Sequence, residues 1–386
     1  MNYNLFTSES VCAGHPDKVC DQVSDSVVDH ALAQDPYSRV AVETLVTTNN
    51  IILAGELTTK AKLDFEKIAR EKIAELGYTE PAWGFHSGSK VTLLIHEQSP
   101  EIAQGVDTGG AGDQGMMFGY ATDETPEFMP LPMILSHRLA EKIDQVREQK
   151  IVPYLRPDGK TEVTIRYENG VPKEVERVII AVPHHENISE REVKNDIYEY
   201  VVSPILEEAQ FSYPKEALIV NGTGVWHIGG PAADTGVTGR KIIVDGYGGM
   251  GRVGGGAFSG KDPTKVDRSG AYATRYLAKN IVASGLAKRA EVQVAYVIGV
   301  KEPIAVSIDT FGTSVATEKE LNDFTFSLLD LSVKGIIDGL NLRRPIYQET
   351  ARYGHFGRGD FPWEQTSPAA TKKAVVSPLT SGVETL

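Results

Sequence analysis

Cysteine is nearly absent from this chain. Cys12 and Cys20 are the only two in 386 residues. Their spacing matches no common zinc site and supports no disulfide framework, so a reducing, cytoplasmic setting is expected. Long apolar runs are missing too. None approaches the roughly 20 residues needed to cross a bilayer, and the opening Met1–Glu9 has neither the charged head nor the apolar centre of a signal peptide. Positive charge is scarce: 39 Lys and Arg stand against 52 Asp and Glu, a net charge of −13. Nucleic acid and anionic membrane both demand a basic face, so neither is expected as a partner. An acidic protein that binds a polyanion must gather its few cations locally. No Ser-His-Asp or Cys-His set suggests acyl transfer, and no His/Cys cluster suggests zinc.

Glycine, by contrast, is concentrated. Eight of the fifteen residues from Gly246 to Gly260 are glycine. Backbone that bare can approach a polyphosphate and turn its N–H groups toward it. Gly255, Gly260 and Lys261 fit the G-x4-G-K phosphate-loop pattern, but Asp262 stands where a Ser or Thr should ligate Mg²⁺. The expected preceding strand, 241–245, ends about ten residues too early, and the next helix begins beyond Asp267. The pattern therefore argues for phosphate contact without the usual nucleotide fold. The plainer alternative is a structural glycine turn, which leaves the clustering of Lys261, Lys265 and Arg268 unexplained. Gly110–Gly115 fits G-x-G-x-x-G but lacks the strand before and the helix after that a dinucleotide site needs. It reads as a flexible loop over 98–119, placed to serve as a lid.

Apolar periodicity predicts a helix over 15–34, with Val19, Val23, Val27 and Ala31 every fourth residue. Strands follow at 40–47 and 51–57 around Asn49-Asn50, then a helix at 61–76 and a strand at 91–97. The order repeats: a helix at 132–149, a hairpin over 162–182 turning at Asn169-Gly170, a helix from Ser189 with Glu192 as capping box, and a strand at 217–220. A third round has a helix at 268–286, strands at 292–300 and 304–310, and a helix at 318–331. The pattern predicts an α+β protein of three similar units, each a layer of helices on a largely antiparallel sheet.

Two clusters bear on chemistry. His15-Pro-Asp-Lys18 sits at a helix start, where free N–H groups bind phosphate. Asp17 is a candidate Mg²⁺ ligand there and His15 a donor to a leaving phosphate oxygen; alternatively, Asp17 complements the dipole and His15 merely caps. If Asn49-Asn50 is a two-residue turn, Glu43 and Glu56 face each other across the strands. Like charges so placed call for a cation between them, unless the register differs and both are solvated.

Together these motifs resemble the S-adenosylmethionine synthetase family along nearly the whole chain, in order. The resemblance is carried by Phe6-Thr-Ser-Glu-Ser-Val11, Gly14-His-Pro-Asp-Lys18, Gln104-Gly-Val-Asp107, Gly110–Met117, Leu155-Arg-Pro-Asp158, Gly239-Arg-Lys-Ile-Ile-Val-Asp245, Gly254–Arg268 and Tyr353-Gly-His-Phe-Gly-Arg358. It implies a pseudo-threefold arrangement of three domains over residues 3–101, 110–229 and 231–370. It also implies a homodimer, or a dimer of dimers, with active sites between subunits. The implied reaction joins ATP and L-methionine: the thioether sulfur attacks C5′ and expels the intact triphosphate, which is then hydrolysed to pyrophosphate and phosphate. A thioether is already a neutral nucleophile, so the catalytic task is alignment and stabilisation of a highly charged leaving group.

The resemblance assigns that task to His15, Lys160, Arg240, Lys241, Lys261 and Lys265. ATP contacts further include Asp158, Gly159, Val225, Trp226, Asp234 and Ala257. Glu56, Gln98, Asp113, Asp234 and Lys265 match methionine-site positions. Asp17 and Asp267 match the Mg²⁺-associated carboxylates, with two ions per site, and Glu43 the K⁺-associated one. This chain departs from the family at Asn221-Gly-Thr-Gly-Val-Trp226, where Asn-Pro-Thr-Gly-Arg-Phe is usual. An arginine is absent at Val225, and the adenine-stacking ring is an indole. The loop between Val106 and Gly112 is also short. The other readings of the same residues are a phosphate-loop kinase or ATPase, and a nucleotide-binding module without turnover.

Overall fold

A computed structural model describes residues 3–97, 109–368 and 370. The chain opens with β1 (Tyr3–Val11), the long helix α1 (Pro16–Gln34), the hairpin β2 (Arg39–Thr47) and β3 (Asn50–Thr58), α2 (Phe65–Glu75) and β4 (Lys90–His96). Next come β5 (Gly115–Thr122), α3 (Leu131–Glu148), the hairpin β6 (Lys160–Glu168) and β7 (Val171–Ala181), α4 (Glu190–Ile197), α5 (Ser203–Glu208) and β8 (Ile219–Val220). The last part holds β9 (Gly236–Val237), α6 (Ile242–Asp245), α7 (Val266–Ala283), the pair β10 (Arg289–Tyr296) and β11 (Ala305–Asp309), α8 (Glu318–Phe326) and α9 (Val333–Gly339).

The strands form three sheets, ordered β4-β3-β2-β9, β8-β7-β6-β1 and β11-β10-β5. Each is built around an antiparallel pair, β2/β3, β6/β7 or β10/β11. The first strand of each pair takes an antiparallel neighbour from a distant segment: β2 takes β9, β6 takes β1 and β10 takes β5. The exchange is cyclic, since each of these three stretches, 3–96, 115–220 and 236–339, lends one strand to another. A long helix covers each junction: α1 on β2 and β9, α3 on β1 and β6, α7 on β5 and β10. These contacts give the α+β architecture its threefold character.

Several local expectations change. The first hairpin turns at Thr48-Asn49, with Thr47 paired to Asn50. Asn49 alone of the three takes positive φ, 52°, and its neighbour Asn50 is drawn into the ladder. Segment 241–245 is not a strand but ends in the single turn α6, closed by the Asp245 N–H on the Lys241 carbonyl at 2.8 Å. The 98–119 stretch is not all loop. From Gly115 it is β5, and Ala111 is bridged to Ile298. Helix α2 starts at Phe65, capped by the Asp64 side chain, and α8 stops at Phe326.

Candidate functional site

The start of α1 forms the first cluster. His15 is the N-cap, and its Nδ1 accepts the Asp17 N–H at 3.2 Å. That leaves Nε2 as the nitrogen able to carry a proton and donate it. Burial, then the charges of Lys241 and Lys160, lower the His15 pKa to about 3, with Asp17 opposing them. Its imidazole is therefore a neutral donor. Asp17 receives the Lys241 ammonium at 2.7 Å, the Arg240 guanidinium at 3.4 Å and the Val237 N–H at 3.0 Å. Burial works against its charge, but Lys241 and Val237 hold its carboxyl below the ordinary value. Lys160 opens β6 beside Val11 of β1, exposed at the rim of this cluster.

The glycine loop forms the second cluster. It returns along the edge of β2 that β9 leaves open: the Val42 N–H donates to the Gly260 carbonyl at 3.0 Å, and the Asp262 N–H to the Val40 carbonyl at 3.1 Å. Gly260 has φ +80°, and a Cβ there would lie 2.1 Å from the Val42 oxygen, so only glycine permits this splice. Asp262 completes it. Its buried carboxylate accepts from Val40 N–H at 2.7 Å, Thr264 N–H at 2.9 Å and Lys265 Nζ at 2.6 Å. The residue that breaks the phosphate-loop pattern is the anchor of a different loop. Lys261 Nζ reaches the Asp267 carboxylate at 2.7 Å.

Glu43, Glu56, Ala257 and Lys261 line one cleft of about 450 Å³ with His96, Thr238 and Ser259. Glu43 and Glu56 share a face of the sheet but are not opposed. Glu43 pairs with Ala54, and Glu56 with Ala41. The shift comes from the turn, and it places the carboxylates on a diagonal rather than head to head. Glu56 instead meets His96 Nε2 at 3.2 Å, its neighbour on parallel strand β4.

The other expected residues are spread around these clusters. Asp158 is buried, and its oxygens accept from Gly159 N–H at 2.7 Å and Gly230 N–H at 2.8 Å. Burial raises its pKa to about 6, against those two N–H donors and Lys160. It fastens the loop carrying Val225, which is exposed, and Trp226, whose indole N–H donates to the Ile228 carbonyl at 2.7 Å. Asp113 and Asp234 are exposed and, with Lys265, lie outside the lining of the cleft. Gln98 lies outside the described residues.

Sequence reasoning missed an aspartate ladder on α1. Asp17, Asp21, Asp25 and Asp29 recur every four residues, and each accepts backbone N–H groups from another segment. The donors are Val237 to Asp17, Gly239 to Asp21, Gly260 to Asp25, and Tyr347 and Gln348 to Asp29. Beside the ladder, Lys18 bridges Asp21 at 3.0 Å and Asp245 at 2.5 Å. Arg268 grips Asp25 through both terminal nitrogens, at 2.7 and 2.8 Å. The four-residue spacing was visible in the sequence; its meaning was not, because an acidic helix stripe ordinarily faces water. His96 was missed as well.

Three stretches of the chain match, in order, the three parts of one family. Residues 3–100 match the S-adenosylmethionine synthetase N-terminal domain, 108–226 its central domain and 228–365 its C-terminal domain. The chain is also 52% identical, over 97% of its length and 99% of the relative's, to an S-adenosylmethionine synthase of Desulforudis audaxviator (strain MP104C).

Proposed function

Because this chain belongs to the S-adenosylmethionine synthetase family, we propose that it makes S-adenosyl-L-methionine from ATP and L-methionine. The triphosphate is expelled whole and then hydrolysed. One observation supports this most directly. The lysines of both clusters are already held by carboxylates, Lys241 by Asp17 and Lys261 by Asp267, at 2.7 Å each. A metal-bound triphosphate presents both signs of charge, so it can take lysine and aspartate from each pair together. Neither half is then left unpartnered in a partly buried site.

In this reading, Lys241, Arg240 and Lys261, with Lys160 and Lys265, neutralise charge that grows on the leaving triphosphate as the C5′–O bond breaks. His15 donates its Nε2 proton as a hydrogen bond to a phosphate oxygen. Trp226 stacks on adenine. Glu56 receives the ammonium of methionine, with Gln98, Asp113, Asp234 and Lys265 as further contacts. Among the described residues no three His, Cys, Asp or Glu side chains gather into a metal cage. Mg²⁺ at nucleotide sites relies on one or two carboxylates plus phosphate oxygens, and Asp17 and Asp267 fit that pattern. When bound, the ion offsets charge on the phosphates. Glu43, on the cleft face beside Lys261, is the K⁺ carboxylate of this reading.

In one chain His15, Asp17, Arg240 and Lys241 do not themselves line the cleft. A homodimer, alone or paired again, would join one cluster of each subunit to the cleft of the other. The test is incubation with ATP, Mg²⁺ and K⁺, with and without methionine, following sulfonium product and phosphates. Methionine-dependent sulfonium is expected. Phosphate release unaffected by methionine, with no sulfonium, would overturn the reading.

A further inference from the structure

Two of the lysines that the proposed function sets on the triphosphate, Lys241 and Lys261, hang from segments that α1 holds by their backbone. Asp21 Oδ1 accepts the Gly239 N–H at 2.8 Å, one residue before Arg240. Asp21 also faces Lys18 at 3.0 Å, and Lys18 reaches Asp245 at 2.5 Å. The turn 239–245 is thus tied to α1 at both ends. One helical turn further on, Asp25 Oδ1 accepts the Gly260 N–H at 2.8 Å. Arg268, gripped by Asp25, donates to the Lys261 carbonyl at 3.0 Å. Asp21, Asp25 and Arg268 are all buried. Gly239 and Gly260 both have φ +80°, and a Cβ on Gly260 would meet the Val42 oxygen.

We propose that Asp21 and Asp25 are positioning residues: from successive turns of α1, about 6 Å apart, they set where the Lys241 and Lys261 ammonium groups stand, without touching substrate. The inference rests on the reading of those lysines as holders of the triphosphate. A lysine arm is flexible, so the place of its charge depends on where its backbone is fixed. Misplacement of about 1 Å at a reacting centre costs up to roughly a hundredfold in rate. Each aspartate should therefore act through one lysine. A residue that only stabilises the fold would act through neither.

The experiment is a set of double-mutant cycles, reading kcat and KM at saturating Mg²⁺ and K⁺ beside the thermal midpoint. Asp25→Asn is placed in the parent, in Lys261→Ala and in Lys241→Ala; Asp21→Asn is placed in the same three backgrounds. We expect Asp25→Asn to lower kcat about tenfold or more in the parent and in Lys241→Ala, but less than about twofold in Lys261→Ala. Asp21→Asn should show the reverse preference. KM for methionine should stay within about twofold, and the fall in thermal midpoint should be alike in all backgrounds. The same factor in every background would overturn the inference. Parent-like kcat in Lys261→Ala and Lys241→Ala would instead overturn the reading of the lysines. Should Asp25→Asn fail to fold, Asp25→Asn with Arg268→Met removes both buried charges together and carries the same cycle, while the Asp21 arm stands by itself.

Discussion

His137 shows how much a single buried residue can contribute to acid sensitivity. Its Nδ1 lies 2.8 Å from Ser10 Oγ at the junction of α3 and β1. Burial, then the charges of Arg358 and Lys18, lower its pKa to about 3. The unfolded chain would titrate it near 6.5. Between those values the unfolded state binds a proton that the folded state refuses, so stability falls as pH falls through this window. At pH 5 the penalty is about 2 kcal/mol. Asp245, pushed up by burial against the Lys18 ammonium, works in the opposite direction: its contribution to stability falls as pH rises. Replacement His137→Gln should therefore shrink the stability difference between pH 7.5 and pH 5 by about 2 kcal/mol in urea melts. An unchanged pH profile would show that His137 is protonated in the fold.

Among the elements, α7 depends on one glycine of its sheet. A Cβ on Gly119 would lie 2.0 Å from the Thr274 carbonyl carbon, so β5 and α7 meet backbone to backbone. Gly119→Ala should destabilise by about 3 kcal/mol or more, read as a lowered urea midpoint. A change below about 0.5 kcal/mol would show that the helix lifts freely. The same glycine explains why β5 was illegible in the sequence: glycines at Gly115 and Gly119 read as loop, though one of them serves close packing. Strand β1 hid differently. Its inward side chains Ser8 and Ser10 are buried and hydrogen-bonded to the Gly248 carbonyl and to His137, so no apolar alternation marked it. Helices α1 and α3 were legible because valines and leucines recur at helical spacing. In the site, the clustered Lys and Arg beside bare glycine backbone were legible. The pairing of those lysines with Asp17 and Asp267 was not, because Lys241 and Asp17 are joined only by folding.

For the whole molecule, the cyclic loan of strands decides how it comes apart. None of the three stretches owns a complete sheet, since β9, β1 and β5 each sit in a sheet whose paired strands belong to another stretch. Arg268 on Asp25 ties α7 to α1 in the same way. Chains of this size commonly unfold domain by domain. Here the β2, β6 and β10 amides should instead share one opening free energy in hydrogen exchange under mild denaturant at fixed protein concentration. Separate openings for the three sheets would mean that the borrowed strands add little.

The loan also sets a schedule for synthesis. Strand β2 leaves the ribosome early, but its partner β9 follows about 190 residues later. At ordinary elongation rates that interval lasts on the order of 10–40 s. Throughout it, the newborn β2 carries a free edge able to pair with a neighbouring nascent chain. Two unlinked segments, β9 and the glycine splice at Gly260–Asp262, close that edge. Lys241 and Lys261, which the proposed function sets on the triphosphate, stand near these two segments, so the hazard in the nascent chain ends at the same step that brings those lysines into place.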